Sequence, residues 1–203
     1  MDPRLQALLD KQEIEEVVLR YCRGIDRRDF DLVLDCYHPD ALDHHGSFSG
    51  SPAEYVAWVD RITARYRWSM HFVGNVLVEQ GEPGADQAAA ETYGVSLHRS
   101  DDPRPFMNIA TGFRYLDRFE RRDGAWKIAE RTAVGEWSIP IPADAWWEVP
   151  EEHLSSRRDA GDALYPLLAA IGAPARRTST DRSYPDPFDT DTANEDKADE
   201  GDA

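Results

Sequence analysis

Apolar residues in the first part of the chain recur at three- and four-residue steps: Leu5, Leu8, Leu9, Ile14, Val17, Val18, Tyr21, Cys22 and Ile25. This spacing predicts one long amphipathic helix that turns a single stripe toward a core, ending at Gly24 and the polar run of residues 26–29. Phe30, Leu32, Val33, Leu34 and Tyr37 predict a short second helix, stopped by Pro39 because proline cannot continue the hydrogen-bond ladder. A third helix starts at Ser51, where a serine cap, Pro52 in the first turn and Glu54 three residues on form a capping-box signature. Val56, Trp58, Val59 and Ile62 supply its stripe.

Past Tyr66 the pattern changes. Residues 68–78, 87–98, 106–121 and 125–137 are rich in β-branched and aromatic positions, which predicts four strands. The last two are joined by Arg122-Asp123-Gly124, an Asp-Gly hairpin signal. Helices first and antiparallel strands after define an α+β class, here a cone-shaped barrel of curved, mostly antiparallel sheet wrapped around the N-terminal helices. Beyond it, residues 138–175 form an extension. Ile139 to Pro142 is extended, and residues 154–171 offer a helix whose apolar side carries Leu164, Leu167, Leu168 and Ile171. Residues 176–203 have no apolar periodicity and hold nine acidic residues against two basic ones from Asp181 onward, so a disordered acidic tail is expected. The organisation is therefore a domain over 1–137, an extension over 138–175 and a tail over 176–203.

The net charge of −16 repels phosphate backbones and anionic lipid, which argues against nucleic-acid and membrane partners. No apolar run approaches the length of a membrane span, and the charged first twenty residues are unlike a signal peptide. Cys22 and Cys36 fall among helical apolar positions and read as reduced packing residues of a cytoplasmic protein. Neither a phosphate-binding glycine loop nor a Gly-x-Ser-x-Gly elbow is present, so no cofactor is implied.

Four motifs follow one another in order: Arg20-Tyr-Cys-Arg-Gly-Ile-Asp26, Cys36-Tyr-His-Pro-Asp-Ala41, Met70-His-Phe-Val-Gly-Asn75 and Gly124-Ala-Trp-Lys-Ile-Ala-Glu-Arg131. Over residues 5–137 the chain thereby resembles the SnoaL-like group of the nuclear-transport-factor-2-like superfamily, which includes dehydratases, a dehydrochlorinase, cyclases and lignin-derived diarylpropane lyases. The resemblance implies a catalytic pair of Asp26 and His71. The chemistry is reasonable in its own right: an imidazole titrates near neutral pH, and a carboxylate on one ring nitrogen leaves the other free as a base. The plainer readings are a structural histidine on a strand and an aspartate ending a helix. By the same resemblance Tyr21 and Arg131 are expected at the site, Tyr21 as a donor to a leaving group and Arg131 as a cationic anchor; a core aromatic and an arginine paired with an Asp or Glu on the sheet stay open beside these.

Strand alternation is expected to place Val73 and Asn75 with His71 and to turn Phe72 and Val76 away. His45, Trp58, Phe72, Tyr93 and Tyr115 are nonetheless candidates for contact with a hydrophobic, ring-bearing substrate. The stretch from His38 to His45 clusters His and Asp residues, but their alternating directions argue against a metal, and solvated turn residues are the expectation there. The activity implied is elimination of water, halide or formaldehyde by a cofactor-independent lyase. An isomerase or cyclase using the same base, and a non-catalytic ligand-binding module, stay open beside it. A homodimer or homotrimer is the assembly the resemblance implies.

Overall fold

The computed structural model describes residues 2–82, 84–102, 104 and 108–173 of the chain. The expected tail and the start of the third expected strand, including Phe106, lie outside the described residues. Helix α1 spans Pro3–Arg27, with Asp2 as its cap, accepting from the Arg4 N–H, and Pro3 in the first turn. Its buried stripe is Ile14, Val17, Val18, Tyr21 and Ile25, while Leu5, Leu8 and Leu9 remain largely exposed. Gly24 does not end this helix. A Cβ there would lie 2.6 Å from Val33 Cγ2, so glycine is what lets α2, Phe30–Asp35, cross so closely. The actual stop is Arg28 in the left-handed region, φ 52°, followed by Asp29 capping α2 through the Leu32 N–H.

Tyr37 and Pro39 are not helical. They lie in strand β1, Tyr37–His45, which turns back as β2, Phe48–Gly50. Pro39 is tolerated because β1's register with its neighbour shifts between Tyr37 and Leu42, and β2 pairs only with residues 43–45; proline is accepted at such unpaired or bulged positions. Helix α3, Pro52–Thr63, begins with the full Ser51–Glu54 capping box. Strands β3, Trp68–Gln80, β4, Gln87–Arg99, β5, Ile109–Arg122, and β6, Ala125–Pro140, follow. The β5–β6 turn is two residues long, and both take positive φ, Asp123 at 53° and Gly124 at 78°, which matches the right-handed twist of the hairpin.

These strands form one six-stranded sheet in the order β2-β1-β6-β5-β4-β3. All pairs are antiparallel except β1 with β6. The sheet is open rather than closed into the expected barrel, because β2 and β3 are edges that do not meet. Helix α1 packs on β3 and β6, and α3 on β1 and β2, covering one face and burying Phe113, Tyr115, Phe119, Trp126 and Ile128 beneath them.

The extension departs from expectation. Of the helix expected over residues 154–171, Leu164–Ala170 alone is helical, as α4, and Leu154, Leu167 and Ile171 are exposed. In the preceding stretch Asp159 accepts from the Gly161 N–H, and Asp162 accepts from the Arg157 and Leu164 N–H groups; such local bonds compete with a helix. What ties the extension down is Arg158, which donates to the carbonyls of Thr63 at 2.7 Å, Tyr66 at 2.9 Å, Asp26 at 3.3 Å and Ile25 at 3.5 Å. It thereby satisfies carbonyls at the C-terminal ends of α1 and α3, the negative poles of both helices. Burial, and then Arg28, pull its pKa down to about 10, so it stays charged at neutral pH. Arg158→Ala is expected to cost about 1.5–3 kcal/mol, the range of hydrogen bonds to charged groups. Thermal denaturation of the variant measures this, and an unchanged melting temperature would show that the extension is not clamped.

Candidate functional site

The covered face of the sheet holds a cavity of about 280 Å³. Its walls are Tyr21 and Ile25 from α1, Tyr55, Trp58 and Ile62 from α3, His45 from β1, and His71, Ser96, His98, Thr111, Phe113 and Tyr115 from the strands opposite. Alternation places these strand residues inward: Thr92, Ser96 and His98 share one face of β4, and Phe113, Tyr115, Asp117 and Phe119 share one face of β5.

Asp26 lies in the last turn of α1, where that helix packs on β3. Its Oδ1 is 2.7 Å from His71 Nδ1, and its Oδ2 accepts the His71 backbone N–H at 2.8 Å. The carboxylate therefore grips both ends of the same residue. An ionised carboxylate only accepts, so Nδ1 carries the proton and Nε2 is the free, basic nitrogen. The side chains are 7% and 12% exposed, dry enough to hold this arrangement. On β3 a bulge between Val73 and Val76 reverses the alternation. Val76 thus packs on the core and Asn75 is exposed, the reverse of the expectation.

Tyr21 lines the cavity, and its hydroxyl shares a 2.5 Å hydrogen bond with Tyr55. Burial, with Tyr55 and Tyr115 nearby, pushes its pKa well above the ordinary phenol value, so it remains a donor. Arg131 takes the second of its two expected places, the pairing on the sheet: it is completely buried and is not part of the cavity wall. Its guanidinium bonds Asp117 through two 2.7 Å contacts and packs into the corner made by the rings of Tyr21 at 4.0 Å and Tyr115 at 4.1 Å, which meet edge-on. An anchor for substrate is not what this geometry offers; a brace for two cavity tyrosines is.

Trp58, Tyr115 and His45 lie in the cavity wall, but Phe72 and Tyr93 do not. As neighbours of inward residues they point to the other side of the sheet. There Phe72 is 67% exposed and shares a shallow groove with Tyr93 and Trp137. The His38–His45 stretch is not a solvated turn. His38 and Asp43 are buried in β1, with His38 Nε2 2.9 Å from the Glu120 carbonyl oxygen. Among the described residues no three His, Cys, Asp or Glu side chains gather as a metal site. Cys22 and Cys36 are buried and unbridged, and burial raises their pKa values to about 12 and about 11.

Sequence reasoning passed over His98. Its ring stacks on Tyr66 at 4.7 Å, meets His71 edge-on at 5.9 Å, and places Nδ1 2.9 Å from Ser69 Oγ. The signal was available, since Thr92, Ser96 and His98 occupy alternate positions of one strand. Burial first, then His71, depresses the His98 pKa to about 3, so its neutral ring adds no charge beside His71. The unfolded chain protonates this ring near its ordinary pKa of about 6.5 and the folded chain only near 3. The stabilising contribution is therefore whole above pH 6.5 and is lost progressively as the pH falls toward 3. The melting temperature is expected to fall less steeply across that window in His98→Gln than in the native chain; parallel curves would refute the assignment.

An α+β domain whose helices close one face of an open sheet over an aromatic cavity, with an imidazole–carboxylate pair in the wall, defines a small-molecule-binding class of protein. The chain belongs to the SnoaL-like domain family, whose model matches residues 6–132. Solved structures agree in fold. A hexachlorocyclohexane dehydrochlorinase from Novosphingobium barchaimii superposes with a TM-score of 0.63 at 19% identity, over 72% of this chain and 99% of that one. A putative scytalone dehydratase from Novosphingobium aromaticivorans gives 0.60 at 16% identity, over 74% and 98%. A protein of unknown function from Mycobacterium tuberculosis gives 0.57 at 19%, over 85% and 90%. A search of the curated proteins finds no sequence match. Among the described residues no helix is long and apolar enough to cross a membrane.

Proposed function

We propose that the protein is a cofactor-independent lyase that eliminates water, halide or formaldehyde from a hydrophobic, ring-bearing small molecule. The observation that carries this reading is the 2.7 Å contact of His71 Nδ1 with Asp26 Oδ1 beside an aromatic-walled cavity. Asp26 fixes the tautomer and stabilises the imidazolium, and His71 Nε2 takes the proton. Tyr21 remains protonated and is a donor to a departing group; Arg131 acts through the tyrosines it braces. Trp58, Phe113 and Tyr115 supply flat apolar surface for a ring. Two similar structures bear the names dehydrochlorinase and dehydratase, which supports the same reaction class. The free, buried cysteines suit a reducing cytoplasm.

A mass-spectrometric screen with hydroxylated and halogenated aromatics, steroids and lignin-derived dimers tests the proposal. A product lighter by water, hydrogen halide or formaldehyde supports it. A product of unchanged mass would instead indicate an isomerase or cyclase, and a compound retained without change a binding module.

The groove of Phe72, Tyr93 and Trp137 on the uncovered face is the surface we assign to self-association as a homodimer or homotrimer, because monomers seldom expose contiguous apolar patches of this kind. Light scattering is expected to show an oligomer that Phe72→Asp shifts toward monomer while the melting curve stays cooperative. A native chain that runs as a monomer would refute this assignment.

A further inference from the structure

A second carboxylate–imidazole pair has its histidine in the wall of the same cavity. Asp43 and His45 are two apart on β1 and so lie on one side of it. Asp43 is fully buried; Tyr37 donates its hydroxyl proton to Oδ2 at 2.5 Å. The other oxygen, Oδ1, has no hydrogen-bond partner and lies 3.5 Å from His45 Nδ1, itself buried and unpartnered. A buried carboxylate oxygen and a buried ring nitrogen left without other partners are costly unless they serve each other; a small ring rotation brings them into bonding range. The ring is flanked by Tyr55 at 5.3 Å, Tyr115 at 5.9 Å and Trp58 at 6.1 Å.

The nearby guanidinium does not take the place of His45. Asp43 stands opposite Arg131 in the β1–β6 register, but that guanidinium bonds Asp117 through Nε and Nη2 and its Nη1 has no hydrogen-bond partner. With Nδ1–H on Asp43, it is the imidazolium form of His45 that also carries a proton on Nε2. His71 stands further along the same wall, past Tyr115 and Phe113, whose rings are 4.5 Å apart, the latter 5.8 Å from His71.

We propose that His45, oriented by Asp43, is the second proton-transfer residue of the site, the acid that protonates a departing oxygen while His71 takes a proton from carbon. This rests on the elimination proposed above. The step balances. His71 Nε2 takes the carbon-bound proton, the released electron pair forms the double bond, and the carbon–oxygen bond breaks with its pair on oxygen. That oxygen takes the His45 Nε2 proton and leaves as water. Solvent then removes the proton from His71 and returns one to His45. A leaving halide needs no such proton, so the assignment also gives His45 a specificity role, selecting for oxygen over halide leaving groups.

The probes are β-hydroxypropiophenone and β-chloropropiophenone, which yield the same phenyl vinyl ketone. In His45→Gln the alcohol-to-chloride rate ratio is expected to fall about 10²- to 10⁴-fold, the usual contribution of a positioned acid, with Asp43→Asn shifting it in the same direction. His71→Gln is expected to lower both rates. An unchanged ratio in His45→Gln, or a native chain that converts the chloride but not the alcohol, overturns the role of His45. A His71→Gln that keeps both rates strikes the elimination reading instead. A second readout needs no turnover: in ¹H–¹⁵N spectra of the resting protein, His45 Nδ1 should carry a proton whose signal shifts in Asp43→Asn. An unprotonated Nδ1 overturns the proposal whatever the probes do.

Discussion

Asp26→Asn and His71→Gln are each expected to lower turnover of a substrate found by the screen by about 10²- to 10⁴-fold, the contribution of a positioned base. The two act differently. Glutamine in place of His71 keeps a donor for Asp26 but has no basic nitrogen. Asparagine in place of Asp26 keeps an acceptor for the His71 N–H but can turn its amide toward Nδ1, which makes Nδ1 the acceptor and puts the proton on Nε2, where the base is needed. Because both residues act on one proton, the double variant should be scarcely slower than the worse single one. Steady-state rates on the three variants, with circular dichroism to verify folding, make the comparison. Full turnover in either single variant would remove the pair from the chemistry.

Single substitutions of the Arg131–Asp117 pair are expected to have the largest effect on stability. Both side chains are completely inaccessible to solvent, so Arg131→Met leaves Asp117 as an uncompensated buried carboxylate, and Asp117→Leu leaves a buried guanidinium against two tyrosine rings. Losses of about 3–5 kcal/mol are typical when one member of a buried pair is removed, a large part of a total that is commonly about 5–15 kcal/mol. The double variant Arg131→Met/Asp117→Leu should recover much of the loss, because the cost lies in the orphaned charge rather than in the missing contact. Denaturant unfolding of the three proteins checks this; single-variant losses under about 1 kcal/mol, the scale of exposed pairs, would show that water reaches the site. Cavity geometry is coupled to the same pair, since Tyr21 and Tyr115 rest on the guanidinium.

Elements defined by neighbours in the chain were readable from sequence. The Ser51-Pro52-Glu54 start of α3 and the Asp123-Gly124 hairpin depend on bonds within a few residues, and the stripe of α1 from Ile14 to Ile25 on helical period alone. Asp26 and His71 were found through motif resemblance, and strand alternation put His71 and Phe72 on opposite faces, so Phe72's place outside the cavity was already implied by the period-two pattern. What failed was each reading that required knowing a distant partner. Residues 37–45 form a strand because β6, some ninety residues later, pairs with them. The bulge that reverses Asn75 and Val76 is a property of the β3–β4 pairing. Arg131 stayed divided between a substrate and a carboxylate on the sheet because nothing local says that Asp117, fourteen residues earlier, bonds it across the β5–β6 hairpin. The 154–171 helix was overextended because apolar spacing was weighed without the Asp159 and Asp162 turns that break it. The sequence by itself determined the α+β order, the capped helices, the hairpin and the residue types needed for proton transfer. Only the tertiary structure decided which of those residues share a wall and which are shut behind it, because hydrogen bonding and burial between residues far apart in the chain are set by sheet register and helix crossing, and neither is encoded in any local window.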